Sequence, residues 1–240
     1  VFANIGGVQL PQIDLQHLLD VVAELGVDAL AVHLNPGQEL LQPEGDRDFR
    51  DVLSGLEQLC ARCPVPIIAK ETGFGISPSD ARALLEVGVW GINVAGTGGT
   101  NWMRIEAYRA SDADLRVADE FNDWGLPTAV LLEAIRRSEP RLFREGRLLA
   151  SGGIRSGIDV AKSIALGAQL AGSALPFIRA VKNGGAEAVL AELAHVKRVL
   201  ATAMALTGSL SIADLQAVPL WRSASFDAAV SALLESDVRT

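Results

Sequence analysis

One piece of punctuation recurs along this chain: an amphipathic helical pattern, a glycine between apolar residues, then a short apolar run. Leu25-Gly26-Val27, Val87-Gly88-Val89 and Leu166-Gly167-Ala168 all carry it. A glycine there can take the left-handed conformation that closes a helix before a strand begins. The pattern predicts strands over Phe2–Ile5, Ala29–His33, Pro66–Lys70, Gly91–Ala95, Leu148–Ser151 and Leu170–Gly172. It predicts helices over Leu15–Glu24, Asp48–Ala61, Ser79–Glu86, Thr128–Arg137, Gly157–Ala165 and Ala186–Leu206. Ser77-Pro78-Ser79-Asp80 and Ser156-Gly157-Ile158-Asp159 read as capping boxes, and Asp46 or Asp48 as the cap of the helix after Gly45. Strand and helix in strict alternation call for a parallel sheet. Six such units are two short of a closed (β/α)8 barrel, so the sheet is either open and doubly wound or a barrel without its first two units.

The 240 residues fit one domain, and no linker composition divides them. Hydrophobic residues make up 49%, enough for a large core, with aromatics at only 5%. The net charge of −8 with no Lys/Arg run argues against nucleic acid or an anionic membrane surface as partner. An anionic substrate must then be met by a few local cations, dipoles or a metal. No apolar run reaches spanning length. The opening Val1-Phe2-Ala3-Asn4 has no initiator Met and no basic segment; it is not a signal peptide and reads as a chain entered mid-strand. Cys60 and Cys63 form a lone C-x-x-C without further ligands, read as ordinary thiols in a reducing cytoplasm.

The unusual residues follow strands, the end where α/β folds bind ligands. His33-Leu34-Asn35-Pro36-Gly37-Gln38-Glu39 follows one, and Glu39 suits a hard cation such as Mg²⁺. Lys70 ends an apolar strand, where an ammonium is costly unless it meets an anion; it can be a Schiff-base nucleophile or a counter-charge to a cofactor. Gly96 to Trp124 reads as one long connection. Ser151-Gly152-Gly153-Ile154-Arg155 lets the backbone approach a ligand and precedes a helix whose first N–H groups would be free. With Gly172-Ser173-Ala174 one unit later, it reads as a phosphate site. The Leu and Ala stripes up to Leu206 read as core. Trp221 and Phe226 pack on the barrel or on another subunit.

Together, Ala3-Asn4-Ile5-Gly6, His33–Glu39, Lys70-Glu71-Thr72-Gly73-Phe74-Gly75, Ala95-Gly96-Thr97-Gly98-Gly99-Thr100-Asn101-Trp102, Trp124-Gly125-Leu126-Pro127-Thr128 and Ala150–Gly157 resemble type 2 isopentenyl-diphosphate isomerases over essentially the whole chain. The resemblance implies a (β/α)8 barrel, lacking its first two or so units here. It also implies FMN reduced by NADPH, Mg²⁺, a small diphosphate substrate, and a cytoplasmic homo-oligomer, tetrameric or larger. The reduced flavin would serve as acid and base in interconverting isopentenyl and dimethylallyl diphosphate. Asn4, Lys70, Thr100, Gly152, Gly153, Ile154, Arg155, Ala174 and Leu175 would hold FMN, with Lys70 beside the anionic ring. His33, Asn35 and Gln38 would bind substrate, Glu39 would ligate Mg²⁺, and Gln38, Lys70 and His33 would form the catalytic set. The family carries an Arg-Lys pair and further flavin contacts upstream of Phe2, which this sequence does not contain.

Two alternatives differ in class. A 2-hydroxy-acid oxidase or nucleotide dehydrogenase would use the same flavin barrel for net redox chemistry. A flavin-free fragment would be no enzyme at all.

Overall fold

A computed structural model describes residues 1–237. Its strands are β1 (Phe2–Gly6), β2 (Ala29–His33), β3 (Ile67–Lys70), β4 (Gly91–Asn93), β5 (Leu148–Ala150) and β6 (Leu170–Ala171). Every neighbouring pair is parallel, and the order in the sheet is the order in the chain. That order separates the two architectures left open by the sequence. A doubly wound sheet reverses direction at a switch point, which sends its helices to both faces. Here the order never reverses, and right-handed crossovers then put every connecting helix on one face, as in a barrel.

The helices are α1 (Leu15–Leu25), α2 (Pro36–Leu41), α3 (Val52–Arg62), α4 (Pro78–Glu86), α5 (Trp102–Ala107), α6 (Asp112–Glu120), α7 (Thr128–Ser138), α8 (Pro140–Arg144), α9 (Gly157–Ala165), α10 (Leu175–Leu206), α11 (Ile212–Ala217) and α12 (Ala224–Asp237). The main core lies between sheet and helices. Leu30 and Val32, Ile67 and Ala69, Ile92 and Val94, and Leu148 and Ala150 point into it, meeting Leu56, Leu59, Leu131 and Ile135 from the helices. Strand alternation sends the intervening residues to the other face. There Ala29, Ile68 and Leu149 make a small apolar cluster with Trp90. One layer towards the strand ends the same face turns polar, with Asn4, His33, Lys70, Asn93 and, just past β5, Ser151.

All six expected strands form, and Gly26, Gly88 and Gly167 all have positive φ. Several local expectations need correction. The connection from Gly96 to Trp124 contains α5 and α6, capped by Asn101 and Ser111, whose side-chain oxygens accept from the Arg104 and Asp114 N–H groups. Helix α6 was hidden because it buries only Ala118. Neither Asp46 nor Asp48 caps α3; Asp51 holds the N-cap position with φ 61° but makes no side-chain capping bond, and Asp48 instead binds Arg50. Ser77 caps α4, but the Asp80 carboxylate takes the Ser77 hydroxyl rather than its backbone N–H, so the box is half formed. Ser156 and Asp159 form the full box.

Helix α10 starts eleven residues before the expected Ala186, and Gly184 and Gly185 interrupt it with non-helical backbone. None of its residues is fully buried: Leu200, Ala203 and Met204 pack on the cluster of Ala161, Ile164 and Leu215, whereas Ile178, Leu190 and Leu206 are exposed, so only part of its apolar stripe serves the core. Phe226 packs on the main core, whereas Trp221 is 91% exposed. Among the described residues, no helix is long and apolar enough to cross a membrane.

Candidate functional site

Two cavities open at the carboxyl ends of the strands. The first, about 400 Å³, is lined by Lys70 and Asn93 from strand ends, by Thr72 and Thr100, and by the two loops Ser151–Arg155 and Gly172–Leu175. The second, about 1080 Å³, is lined by Gly6, Gln9 and Gln12, by His33–Pro36, and by Gln38, Glu39, Glu44 and Asp46. They meet at adjacent strands: His33 on β2 and Lys70 on β3 are register partners. Eight expected cofactor ligands, Lys70, Thr100, Gly152, Gly153, Ile154, Arg155, Ala174 and Leu175, line the first cavity. The expected substrate and metal residues His33, Asn35, Gln38 and Glu39 line the second. Asn4 joins them through its Oδ1, 2.9 Å from His33 Nε2.

The first cavity is shaped by backbone. Gly152 and Gly153 have φ of 90° and 78°, and a Cβ on Gly153 would stand 2.9 Å from the Gly98 carbonyl carbon. The β5–α9 loop therefore lies directly on the Gly98-Gly99 turn. Arg155 fixes the contact by donating to the Gly98 carbonyl at 2.8 Å. Ser173 donates to the Ile154 carbonyl at 2.6 Å and binds the next loop to this one. Asn93 accepts the Ser151 hydroxyl at 2.8 Å.

The start of α9 is not a free anion site. The Asp159 carboxylate accepts from the Arg155 and Ser156 N–H groups at 3.1 and 3.0 Å, so the chain supplies the negative charge that the helix dipole favours there. The start of α10 differs. Its N-cap is Ala174, which has no side chain able to accept a hydrogen bond, and Ser173 to Leu175 line the cavity. The phosphate reading thus moves from α9 to the Gly152–Ile154 backbone and the beginning of α10.

Lys70 is only partly exposed. Burial lowers its pKa, while the neighbouring Glu71 carboxylate opposes the shift. Its Nζ donates to the Glu71 carbonyl at 3.3 Å. Burial and the positive charge of Lys70 also push the His33 pKa down.

In the second cavity, the Asn35 side chain is used within the protein. Its oxygen accepts from the Gln38 N–H at 2.9 Å to start α2, and its amide donates to the Thr72 hydroxyl. Gln38 donates to Glu106 Oε1 at 2.9 Å, and Arg109 donates to Glu106 Oε2 at 2.7 Å. Glu106 is 4% exposed, and it lies in the stretch read from sequence as one long loop. Asn93 is the single polar residue in Gly91-Ile92-Asn93-Val94, which is signal enough, but Glu106 shares Trp102-Met103-Arg104-Ile105-Glu106 with Arg104, which stands out equally. Glu39 accepts from the Asp46 N–H at 3.1 Å through one oxygen. Among the described residues there is no group of three His, Cys, Asp or Glu placed to hold a metal. Cys60 and Cys63 are free thiols, and burial pushes Cys60 up to about 11.

These residues fit a flavin. The cavity lies within the roughly 300–1,000 Å³ of small-molecule sites. It combines apolar walls from Ala95, Ile154 and Leu175, hydrogen-bonding groups at strand ends, one ammonium, and an uncapped helix start suited to phosphate. A Mg²⁺ ion fits Glu39 only as one carboxylate among ligand oxygens, the usual arrangement when the metal arrives with a phosphate.

Comparison with known proteins bears on the family and the fold. Residues 21–222 match the family model described as FMN-dependent dehydrogenase. An isopentenyl-diphosphate delta-isomerase of Borrelia garinii subsp. bavariensis is 43% identical over 216 residues, which cover 90% of this chain and 59% of that protein. One from a Nostoc species is 44% identical over 219 residues, covering 90% and 61%. One from a Synechococcus species is 49% identical over 183 residues, covering 74% and 51%. The chain thus spans about 59% of the length of the first of these relatives. Among solved structures, mandelate oxidase with (S)-2-phenylpropionate aligns with a TM-score of 0.62 at 20% identity, covering 91% of this chain and 69% of that one. That likeness carries the barrel fold alone.

Proposed function

Because this chain belongs to the FMN-dependent dehydrogenase family, we propose that its smaller cavity holds FMN and its larger one an allylic or homoallylic diphosphate, in an isopentenyl-diphosphate isomerase. The observation that carries this reading is the register pair His33–Lys70, which sets the two cavities side by side at the strand ends. Bound and reduced, with NADPH as reductant, FMN would supply the acid and base that move a proton between two carbons without net oxidation.

The chain's residues would prepare that exchange. Gly152, Gly153, Ile154, Arg155, Ala174 and Leu175 would hold the cofactor phosphate, and Thr100 and Asn4 would bound the ring. Lys70 would place a positive charge at the ring edge, which favours the anionic reduced form. Gln38, oriented by Glu106, would present its amide to the substrate. His33 and Asn35 would line the diphosphate side, and Glu39 would add one carboxylate to a Mg²⁺ carried by the diphosphate. The exposed apolar residues of α10, among them Leu190 and Leu193, support assembly into a homo-oligomer.

The test is titration of the protein with FMN, followed by an isomerase assay with Mg²⁺ and NADPH. Saturable quenching of flavin fluorescence and turnover are expected. Reduction of bound flavin by a 2-hydroxy acid, without nicotinamide, would replace this reading with an oxidase.

A further inference from the structure

Glu71 is buried, at 5% exposed, and the chemistry above gives it no role. Its Oε2 alone accepts three consecutive backbone N–H groups: Gly73 at 2.6 Å, Phe74, and Gly75 at 2.9 Å. A carboxylate wrapped by successive amides is a strong, charge-assisted clamp. Nothing in the local sequence would otherwise hold this turn, since Gly73 and Gly75 are flexible and Gly75 has φ 94°.

The clamped turn lines the smaller cavity and backs the helix that borders the larger one. Thr72 lines the smaller cavity and accepts from Asn35, which starts α2 in the larger one. Gly73 packs so closely on the Thr100 carbonyl that a Cβ would stand 2.8 Å from it. The Phe74 ring lies against Gly37 of α2, leaving no room for a side chain there, and packs with Leu41, Met103 and Ala107 of α2 and α5. The Phe74 carbonyl accepts from the Leu126 N–H at 2.8 Å. The elements bearing Thr100, Gln38 and Glu106 therefore rest on one four-residue turn.

The geometry points to Glu71 as the positioning residue of the wall shared by the two cavities, so that its carboxylate sets the shape of both binding sites together. This rests on the flavin and diphosphate reading. Glu71 touches neither ligand; its effect passes through Thr72, Gly73 and Phe74.

The experiment compares wild type, Glu71→Gln and Glu71→Ala in two titrations: FMN by flavin fluorescence, and inorganic diphosphate with Mg²⁺ into the FMN-loaded protein by calorimetry. Removing the acceptor leaves three partly buried donors without it. Glu71→Ala should therefore weaken both ligands by about tenfold or more, and Glu71→Gln, which keeps one acceptor oxygen, should recover both to within about threefold of wild type. Unchanged affinity for either ligand in Glu71→Ala would overturn the shared role. Should Glu71→Ala not fold, hydrogen exchange in the wild type decides: slow exchange at Gly73, Phe74 and Gly75 is required, and exchange at loop rates would overturn the clamp. A wild type that binds FMN while Glu71→Ala binds it equally well refutes only this inference. A wild type that binds no FMN refutes the flavin reading itself.

Discussion

His33 Nε2 lies 2.9 Å from Asn4 Oδ1, diagonally across the pairing of β2 with β1. The Asn4 oxygen can only accept, so Nε2 carries the proton and Nδ1 of the neutral ring is bare. Burial, then the charge of Lys70, hold the His33 pKa below 6.5. The unfolded chain therefore takes up this proton first as pH falls, and the contribution of neutral His33 is complete above the unfolded pKa and declines below it. Denaturant unfolding at about pH 7.5 and about pH 5.5 should show a larger loss for wild type than for His33→Gln, which keeps a donor towards Asn4 but does not titrate. Equal losses would show that His33 is not held neutral.

Lys70 faces the smaller cavity with a charge that burial disfavours and an anionic ring would favour. In Lys70→Ala the pKa of the bound reduced flavin should rise by about one unit or more, read from its absorbance during an anaerobic pH titration. An unchanged value would separate Lys70 from the cofactor.

Glu106 holds Gln38 from outside the cavity lined by Lys70. Replacing it by Ala frees the Gln38 amide and leaves Arg109 Nη1 without that acceptor. Turnover should fall by about tenfold or more, while FMN affinity stays within about threefold of wild type. A parallel loss of FMN would mean that α5 supports the cofactor rather than Gln38.

Glu39→Gln should keep FMN bound but lose most activity along with its response to Mg²⁺, because the amide is a far poorer ligand for a hard cation. Wild-type turnover across a Mg²⁺ titration would remove Glu39 from the metal site.

Gly152→Ala meets two obstacles: φ is 90°, and the new Cβ would overlap the Gly96 carbonyl oxygen. A loss of about 2 kcal/mol or more in unfolding free energy is expected, from backbone strain and the displaced Gly96 turn together. A variant as stable as wild type would show that the two loops can move apart.

Much of this was legible in sequence because it depends on local signals. Strand positions follow from apolar runs between glycines, and the clustering of Lys70, Gly152–Arg155 and Ala174 follows from all of them ending β/α units. What escaped depends on contacts distant along the chain. Helix α6 buries a single residue, Ala118, which meets α5 and the residues around Phe74. Glu106 gains meaning only when α5 folds against α2 and brings it to Gln38, 68 residues earlier. Helix α10 misled in part: its Leu and Ala spacing is that of a core helix, yet only residues such as Leu200, Ala203 and Met204 pack on a core cluster while Ile178, Val181 and Leu190 stay at the surface.

The two helix starts at the smaller cavity are unequal, since Asp159 occupies one and Ala174 leaves the other open. An arriving phosphate meets a resident anion at one helix start and none at the other, so the pair acts as a one-way socket. Orientation of the guest is then selected by repulsion as much as by attraction, and cutting Asp159 back to Ala would give the same phosphate two competing seats.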